Sequence, residues 1–292
     1  MPSPVVLSFD VEEHHLIEAA VHLQISDDLK RTYADRMEAS TRRLLDQLTS
    51  YEDAKATFYI VGEIAVTHPA LVRDIAAAGH EIGSHSHRHE NLHRMTPEAF
   101  REDLKRSVGE LEQASGVKVV GFRAPTFSVT RKTAWAVDEL LRAGLKYDSS
   151  VFPVRHDRYG VPAAPRGPFY LETDAGRLLE LPPLTLRVLG WNLPVAGGGY
   201  FRLLPLRFMH GGLTRIADEP DAAGMLYFHP WEFDLDQPKL PLRMMSRWRT
   251  YVGVEKSERR LTALLKIYRG RFRRASDVAA ELAEKPLPTF RL

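Results

Sequence analysis

The sequence predicts an α/β protein in which buried strands alternate with amphipathic helices. Three observations support this prediction. Apolar runs of strand length alternate with segments of helical periodicity, and polar side chains that can take part in catalysis follow the apolar runs. In addition, 292 residues suffice for one α/β barrel or open parallel sheet. In both architectures the carboxyl ends of the strands meet at one edge, which is where active sites form.

The first elements follow from apolar spacing. Residues 5–9 form a short apolar run that predicts a buried strand, with Asp10 at its carboxyl end. Residues 36–48 carry apolar side chains at helical intervals and predict a helix. Residues 56–62 predict a second strand that ends at Gly62.

The next elements are bounded by recognisable caps. Residues 69–78 predict a helix that ends at Gly79. Thr96-Pro97-Glu98 has the residue types of a helix start. A second helix is therefore expected from these residues to about Ala114, with its end near Gly116. A strand is then expected at 119–122, a helix at 132–143, and the segment 145–148 after it.

The alternation stops in the middle of the chain and resumes later. Residues 151–224 are rich in proline and glycine and predict loops with short strands, whereas residues 225–228 predict another strand, with His229 at its end. Helices are expected at 257–268 and 276–283. We interpret residues 1–292 as one domain, with its core at about 4–150 and 225–292 and an elaboration at about 151–224.

The composition limits the chemistry that is open to the chain. It is 44% hydrophobic and 27% charged, and its net charge of +2 does not favour nucleic acid as a partner. It has no cysteine, which excludes thiol catalysis, disulfides and cysteine-held metals. A bound metal would therefore be held by histidine, aspartate or glutamate.

Four side chains in two short segments indicate a metal site. His85 and His89 are four residues apart, which brings two imidazoles within reach of one cation on a helix or tight turn. Asp10 and Glu12 are two residues apart, so on a strand they point to the same side. Two imidazoles and one carboxylate leave coordination positions open, as a catalytic metal requires, and the second carboxylate could serve as a base. These features outline a hydrolase.

The same segments, together with several later ones, resemble the polysaccharide deacetylases of the NodB-homology type, also called carbohydrate esterase family 4. The resemblance extends over most of the chain and includes His85-Ser86-His87-Arg88-His89, Phe122-Arg123-Ala124-Pro125, Tyr147-Asp148-Ser149-Ser150, the run from Pro194 to Pro205, and Phe228-His229-Pro230-Trp231-Glu232. The chain is most similar to a subgroup encoded with bacterial exopolysaccharide and exosortase loci. The resemblance implies a distorted (β/α) barrel and metal-dependent removal of acetyl groups from N-acetylated sugars.

The first motif of the family usually reads Thr-Phe-Asp-Asp-Gly, with a base followed by a metal ligand. Here Asp10 takes the position of the base, and the next residue is Val11, which cannot bind metal. The resemblance therefore implies that the ligand role moves to Glu12, beside His85 and His89. Three neighbours, Glu13, His14 and His15, remain rival ligands.

The later motifs imply the remaining roles. Arg123 would keep the base ionised and oriented, and the backbone N–H of Thr126 would donate to the oxyanion. His229 would be the general acid, and Asp148 is the expected neighbour that keeps it protonated. Trp231 and Tyr200 are expected to line the substrate cleft, although ordinary packing remains open for both. The expected cofactor is a divalent metal, most plausibly zinc, with cobalt, nickel or manganese as alternatives.

The expected partner is an N-acetylated carbohydrate, and the oligomeric state is not predicted. A basic run, consisting of Lys266, Arg269, Arg271, Arg273 and Arg274, is interpreted as a solvated face or as a contact with an anionic membrane surface. The sequence shows no secretory signal and no apolar run long enough to span a bilayer, so a cytoplasmic location is expected. Two alternatives stay open: a small-molecule amide hydrolase of the allantoinase or formamidase type, and an inactive carbohydrate-binding homologue.

Overall fold

The computed structural model describes residues 3–51, 54–217, 219 and 221–292. Its strands are β1 (Val5–Val11), β2 (Thr57–Ile60), β3 (Glu81–Ser84), β4 (Gly121–Phe122), β5 (Tyr147–Asp148), β6 (Phe169–Thr173), β7 (Gly176–Glu180), β8 (Thr185–Val188), β9 (Trp191–Pro194), β10 (Gly224–Phe228), β11 (Phe272–Arg273) and β12 (Thr289–Phe290). Its α-helices are α1 (Asp27–Thr49), α2 (Gly62–Thr67), α3 (Pro69–Ala77), α4 (Pro97–Ser115), α5 (Trp135–Arg142), α6 (Gly198–Leu203), α7 (Leu206–Ala217), α8 (Met244–Tyr251), α9 (Ser257–Ile267) and α10 (Ala275–Leu282).

The central sheet is a distorted parallel barrel. Seven of its strands pair in parallel with their neighbours, in the order β10, β1, β2, β3, β4, β5 and β7. The segment after β7 returns to β10, where Pro183 forms a parallel bridge with Met225 and the Leu184 N–H donates to the Met225 carbonyl at 2.9 Å. The predicted α/β barrel is therefore confirmed, and its distortion lies in the two-residue strands β4 and β5 and in this single-bridge closure.

Strand β1 shows how the sequence positions the site. Val5, Leu7, Phe9 and Val11 belong to the main apolar core, whereas Val6 belongs to a smaller cluster with Tyr59, Tyr147 and Met225. Because side chains alternate along a strand, Ser8 and Asp10 share the Val6 side, which is the barrel interior. The interior is thus apolar at the amino end of β1 and polar at its carboxyl end.

Helix α10 covers the amino end of the barrel. Its first residues donate backbone N–H groups into the interior, from Ala275 to Thr57 Oγ1 and from Ser276 to Glu81 Oε2, both at 2.8 Å. This leaves the opposite end, where the polar side chains of β1 lie, as the end that is open to a ligand.

The middle of the chain departs from the prediction. Residues 151–224 contain the expected short strands but also α6 and α7, which the sequence did not predict. Two adjacent glycines lie within α7 and lower its helical propensity. One of them, Gly212, lets the helix approach Leu184: a Cβ added at Gly212 would lie 3.1 Å from the Leu184 side chain. Tertiary packing therefore decides the conformation here. Gly62 is also corrected, since it begins α2 where the end of a strand was expected.

The C-terminal basic run is largely engaged with the chain itself. Arg271 donates to the Ser3 carbonyl at 2.7 Å, Arg273 pairs with Glu281, and Arg274 pairs with Asp277. Strand β11 pairs with Val5 and Val6, so the run lies at the barrel end away from Asp10, about 16 Å along β1 at the usual rise per residue.

None of the helices in the described ranges is both long enough and apolar enough to cross a lipid bilayer.

Candidate active site

A tight turn after β3 brings the two predicted histidines together. Ser86 and His89 have φ angles of 62° and 56°, which reverses the chain. The His89 N–H donates to Ser86 Oγ at 2.9 Å, so the serine fixes the turn. The imidazole centroids of His85 and His89 are 4.9 Å apart. The spacing therefore acts through a turn and not through a helix.

Backbone carbonyls set the orientation of both rings. His85 Nδ1 lies 2.7 Å from the Arg123 carbonyl oxygen, and His89 Nδ1 lies 3.1 Å from that of Leu16. A carbonyl oxygen only accepts, so each neutral imidazole carries its proton on Nδ1 and leaves the Nε2 lone pair free. This is the state in which histidine binds a metal.

Glu12 supplies the carboxylate beside these nitrogens. Its Oε2 lies 2.5 Å from His89 Nε2, and the ligand atoms of Glu12, His85 and His89 all lie within 4.8 Å of one another. Of the rival ligands, His14 is bound to the Tyr251 hydroxyl at 2.9 Å, and His15 pairs with Glu13 at 3.2 Å. The donor set of two imidazoles and one carboxylate fits a catalytic divalent metal.

The electrostatics favour the protonation states that such a metal requires. Burial lowers the pKa of His85 to about 4, so its ring is neutral near pH 7. Burial alone would raise the pKa of Glu12, but the positive charges that His89, His229 and His85 carry when protonated, and the hydrogen bond that protonated His89 donates, outweigh it and hold the pKa well below the usual range. Metal ligands bind as neutral imidazole and as carboxylate, so the cluster is poised for binding.

Asp10 is held by a buried guanidinium on the other side of the cavity. Arg123 is fully buried, and its Nη1 donates to Asp10 Oδ1 at 2.6 Å and to Ser8 Oγ at 2.7 Å. Its Nε and Nη2 donate to the carbonyl and hydroxyl oxygens of Ser149, and Tyr59 lies under its face at 4.2 Å. The predicted neighbour of Asp10 is therefore in place, and Asp10 Oδ2 is directed towards His229.

His229 completes the opposite wall. Its Nε2 lies 3.9 Å from Asp10 Oδ2 and 3.8 Å from Glu12 Oε1, while its Nδ1 pairs with Glu232 Oε1 at 2.6 Å. Burial lowers the pKa of His229, but the Glu232 hydrogen bond and the charges of Glu12, Glu232 and Asp10 raise it to about 9. The ring is thus protonated at neutral pH and able to give a proton.

The expected pairing of His229 with Asp148 is corrected. Asp148 lies on β5 opposite Glu180 of β7, and its Oδ1 accepts a hydrogen bond from Ser150 at 2.5 Å. Burial raises the pKa of Asp148 to about 6, and burial and the Asp148 charge raise that of Glu180. This carboxyl pair belongs to the wall between two barrel strands, so it contacts its strand neighbours instead of His229.

Two residues that the sequence analysis missed hold His229 in place. Glu232 Oε2 lies 2.8 Å from Nε of Arg202, a buried arginine on α6. Burial raises the pKa of Glu232, but the charges of Arg202 and His229 lower it below the ordinary value. Glu232 follows His229 by three residues at a short helical turn, and this spacing could have predicted that the two side chains pair. Nothing in the sequence connects Arg202 to this site.

The cavity enclosed by these groups has a volume of about 190 Å³. Thr126 and Trp231 line it, and Trp231 Nε1 donates to Glu12 Oε1 at 3.2 Å. Thr126 has a φ of 57°, and no hydrogen bond within the described ranges uses its N–H. Tyr200 does not itself line the cavity, although the preceding Gly198 and Gly199 do, so its contact with a substrate stays a prediction.

Two family models match consecutive parts of the chain. Residues 26–147 match the polysaccharide deacetylase model, and residues 149–280 match a domain of unknown function, DUF3473. The candidate site takes Asp10 and Glu12 from before the first match, the histidine pair from the first match, and His229 from the second.

Known proteins resemble the chain in sequence and in fold. A peptidoglycan-N-acetylglucosamine deacetylase of Bacillus cereus is 30% identical over 100 residues, which cover 34% of this chain and 36% of that protein. The chain thus spans about a third of the length of that curated relative. A putative polysaccharide deacetylase from Mycobacterium smegmatis has the same fold, with a TM-score of 0.66 and 22% identity over 100% of this chain and 94% of that one.

A second solved structure, the Puue allantoinase, is similar with a TM-score of 0.61 and 19% identity, covering 97% of this chain and 91% of that one. At these identities the two structures establish the fold alone. The two consecutive family matches and this fold confirm the resemblance found in the sequence: the chain contains a polysaccharide deacetylase segment, which a DUF3473 segment follows.

Proposed function

We propose that the protein is a metal-dependent hydrolase that removes N-acetyl groups from sugar residues of a bacterial polysaccharide or its precursor. One observation supports this above all: a metal-ligand cluster, an arginine-held aspartate and a protonated histidine share one small cavity. An inactive carbohydrate-binding protein would have no use for a base and an acid beside a cluster of metal ligands.

Glu12, His85 and His89 would hold the metal, for which zinc is the first candidate. A bound divalent ion supplies Lewis acidity, which makes water more acidic and polarises an acyl oxygen. The three residues fix the place where this acidity acts, next to Asp10 Oδ2 and opposite His229.

The chain's own groups account for the proton transfers of amide hydrolysis. Asp10 would remove a proton from the attacking water, and Arg123, which donates to its Oδ1, keeps the carboxyl group in position. The N–H of Thr126 would donate to the developing oxyanion, an interaction worth about 3–4 kcal/mol. His229 would protonate the sugar nitrogen, because an amine leaves far more easily than an amide anion.

The proposed substrate class follows from the relatives. The Bacillus cereus relative is named as acting on peptidoglycan N-acetylglucosamine, which supports an N-acetylated sugar here. The acetyl group would lie in the cavity beside Glu12, His85 and His89. The exopolysaccharide assignment rests on the sequence resemblance and stays a proposal.

Acetate release from a panel of N-acetylated oligosaccharides tests this function. We expect activity to disappear after chelation and to return with zinc, and we expect an H85A/H89A variant to stay inactive with any metal. Hydrolysis of allantoin or simple formamides without acetate release from sugars would instead establish a small-molecule hydrolase. Binding of glycans with no hydrolysis under any metal would establish an inactive homologue.

Metal binding can be measured without turnover. A ligand at 100 times its dissociation constant stabilises the native state by about 2.7 kcal/mol, so zinc should raise the melting temperature by a few degrees. The same addition should leave the melting temperature of the H85A/H89A variant unchanged. An equal rise in both proteins would contradict the assigned ligands.

A further inference from the structure

Two neighbouring elements expose large apolar side chains to solvent. Leu189, at the turn of the β8–β9 hairpin, is 94% exposed, and Met244, at the start of α8, is 84% exposed. We call the group to which they belong the rim surface, and it comprises Val188, Leu189, Trp191, Met244, Met245 and Trp248. Large apolar side chains exposed in this way on neighbouring elements mark an interaction surface.

One loop joins the two elements of the rim surface. On the hairpin side, the guanidinium of Arg155 lies 5.3 Å from the Trp191 ring and the side chain of Asn192 donates to the Pro153 carbonyl at 2.6 Å. On the helix side, Arg249 pairs with Asp157 of the same loop at 3.4 Å. The loop, residues 153–159, therefore lies between the hairpin and α8.

The rim surface also borders the candidate active site. Arg158 and Tyr159 of the joining loop line the site cavity, and so does Thr250 in the last turn of α8. Gly198 and Gly199, which follow β9 in the chain, line it as well. Whatever covers the rim surface will therefore lie beside the entrance to the cavity.

The charge of this region is strongly positive. The region consists of the joining loop, the hairpin and the segment around α8, at residues 153–159, 185–192 and 239–252. It contains seven of the 40 lysines and arginines and one of the 38 aspartates and glutamates, so its net charge is +6. The rest of the chain has 33 basic and 37 acidic residues and is net −4. The seven cations are exposed, and they are Arg155, Arg158, Arg187, Lys239, Arg243, Arg247 and Arg249.

We propose that the rim surface docks the protein on an anionic phospholipid bilayer, with the active-site entrance facing the membrane. Exposed leucine, methionine and tryptophan side chains enter the boundary between headgroups and acyl chains, while surrounding arginines bind lipid phosphates. Tryptophan is favoured at this depth because its ring is apolar and its N–H is polar. The proposal goes beyond the proposed function, because docking is measured without turnover.

Two other occupants fit the rim surface less well. A second copy of the chain in a twofold dimer would place this +6 region close to its own copy, and like charges repel. A glycan would stack on Trp191 and Trp248, but the aliphatic side chains of Leu189, Met244 and Met245 offer nothing to sugar hydroxyls. An anionic bilayer matches both the apolar and the cationic groups.

Vesicle flotation with the full chain tests the proposal. We expect the protein to bind vesicles of phosphatidylcholine with 30% phosphatidylglycerol, to bind pure phosphatidylcholine much less, and to be released by salt. A Leu189→Ser, Met244→Ser, Met245→Ser variant should lower the partition coefficient at least tenfold. An Arg243→Gln, Arg247→Gln variant should lower it by about fivefold per arginine on anionic vesicles.

Matched controls separate docking from general effects. Val66→Ser and Val117→Ser remove exposed apolar side chains elsewhere, and Lys266→Gln with Arg269→Gln removes exposed cations at the far end of the barrel. Both controls should bind vesicles like the unaltered chain, and all variants should keep its melting temperature because the changed side chains are exposed.

Several results would overturn the proposal. These are equal binding to neutral and anionic vesicles, absence of binding to both, and loss of binding in the Lys266/Arg269 control but not in the rim variants. A dimer in sedimentation equilibrium that the rim variants dissociate would assign the surface to a second copy of the chain. Displacement from vesicles by a soluble N-acetylated oligosaccharide would assign it to glycan.

Discussion

Two carboxylates two residues apart on β1 have different surroundings, and this difference separates their roles. Asp10 accepts a hydrogen bond from the buried Arg123 guanidinium, whereas Glu12 contacts the Nε2 atom of His89. Asp10 is thus held in place by a buried cation, and Glu12 lies beside the histidines of the proposed metal site. Under the proposed function, the same residue chemistry would serve as base in one place and as metal ligand in the other.

Replacing the base tests this separation. Asp10→Asn keeps the shape of the side chain but removes its basicity, so we expect the rate of acetate release to fall about 10²–10⁴-fold while zinc still binds. Measured zinc content and melting temperature are the controls. Retained activity, or loss of zinc together with activity, would contradict the assignment.

Glu232 should control the pH dependence through His229. The proposed general acid His229 would work in its protonated form; because its pKa is raised to about 9, we expect activity below that pH and its loss as the pH rises through it. Glu232→Gln removes the charge at Nδ1, and the alkaline limb of kcat/KM should therefore move to lower pH.

The control for this prediction is Glu139→Gln, which removes another buried glutamate that is paired with an arginine, Arg101, away from the cavity. It should lower stability but leave the alkaline limb where it is. If both variants shift the limb equally, Glu232 has no specific role at His229.

At the scale of elements, short glycine segments let loops approach the barrel closely. A Cβ at Gly197 would lie 1.6 Å from the Tyr227 carbonyl oxygen, and Gly197 forms a bridge with Tyr227 of β10. The close approach of this segment to β10 places Gly198 and Gly199 in the cavity wall. The cavity wall on this side therefore depends on the absence of a side chain.

Gly197→Ala should displace this wall. We expect a loss of about 1–3 kcal/mol in the free energy of unfolding, as for other overpacked sites, together with reduced turnover. Gly109→Ala is the matched control, because nothing lies within 4 Å of its added Cβ inside α4, and alanine there should stabilise by about 0.5–1 kcal/mol. Urea unfolding of both variants measures the difference.

Element prediction succeeded where the determinants are local. Helix α4 begins after Thr96, whose Oγ1 accepts from the Ala99 N–H at 3.2 Å, and it ends at Gly116 with a φ of 73°, as its sequence signals predicted. Helices α6 and α7 were missed because their glycines are set by packing against β10 and Leu184. Strands β4 and β5, two residues each, depend on neighbours distant in sequence.

At the scale of the whole molecule, the two family-matched segments build one barrel. Strand β1 pairs with β10 along Val5–Phe9, and β7 extends to β10 to close the sheet. The candidate acid His229 follows β10, so the segment of unknown function supplies both a structural edge and a reactive group. We propose on this ground that residues 1–292 act as one domain.

A fragment of residues 1–148 should therefore fail to fold on its own. It would expose the β1 edge and the barrel interior, and we expect no cooperative thermal transition and strong binding of a hydrophobic dye. A chain of residues 1–287, which lacks only β12 at the sheet edge, should keep its transition. A cooperative transition in the 1–148 fragment would show two independent domains.

The sequence by itself determined the local chemistry of this protein. The alternation of side chains along β1 predicts that Asp10 and Glu12 share a side, and the spacing of His85 and His89 predicts a shared ligand site, because both patterns depend on a few consecutive residues. Arg123 and His229 were found through motifs that lie directly after strands. In the structure Asp10, Glu12, His85, His89 and His229 line one cavity, and Arg123 contacts Asp10.

Only the tertiary structure decided which distant groups meet. It replaced Asp148 with Glu232 as the neighbour of His229, brought in Arg202 from a helix that was not predicted, and placed the rim surface beside the cavity. Such contacts depend on barrel closure and on loop packing between segments far apart in the chain, and no local pattern of residues records them.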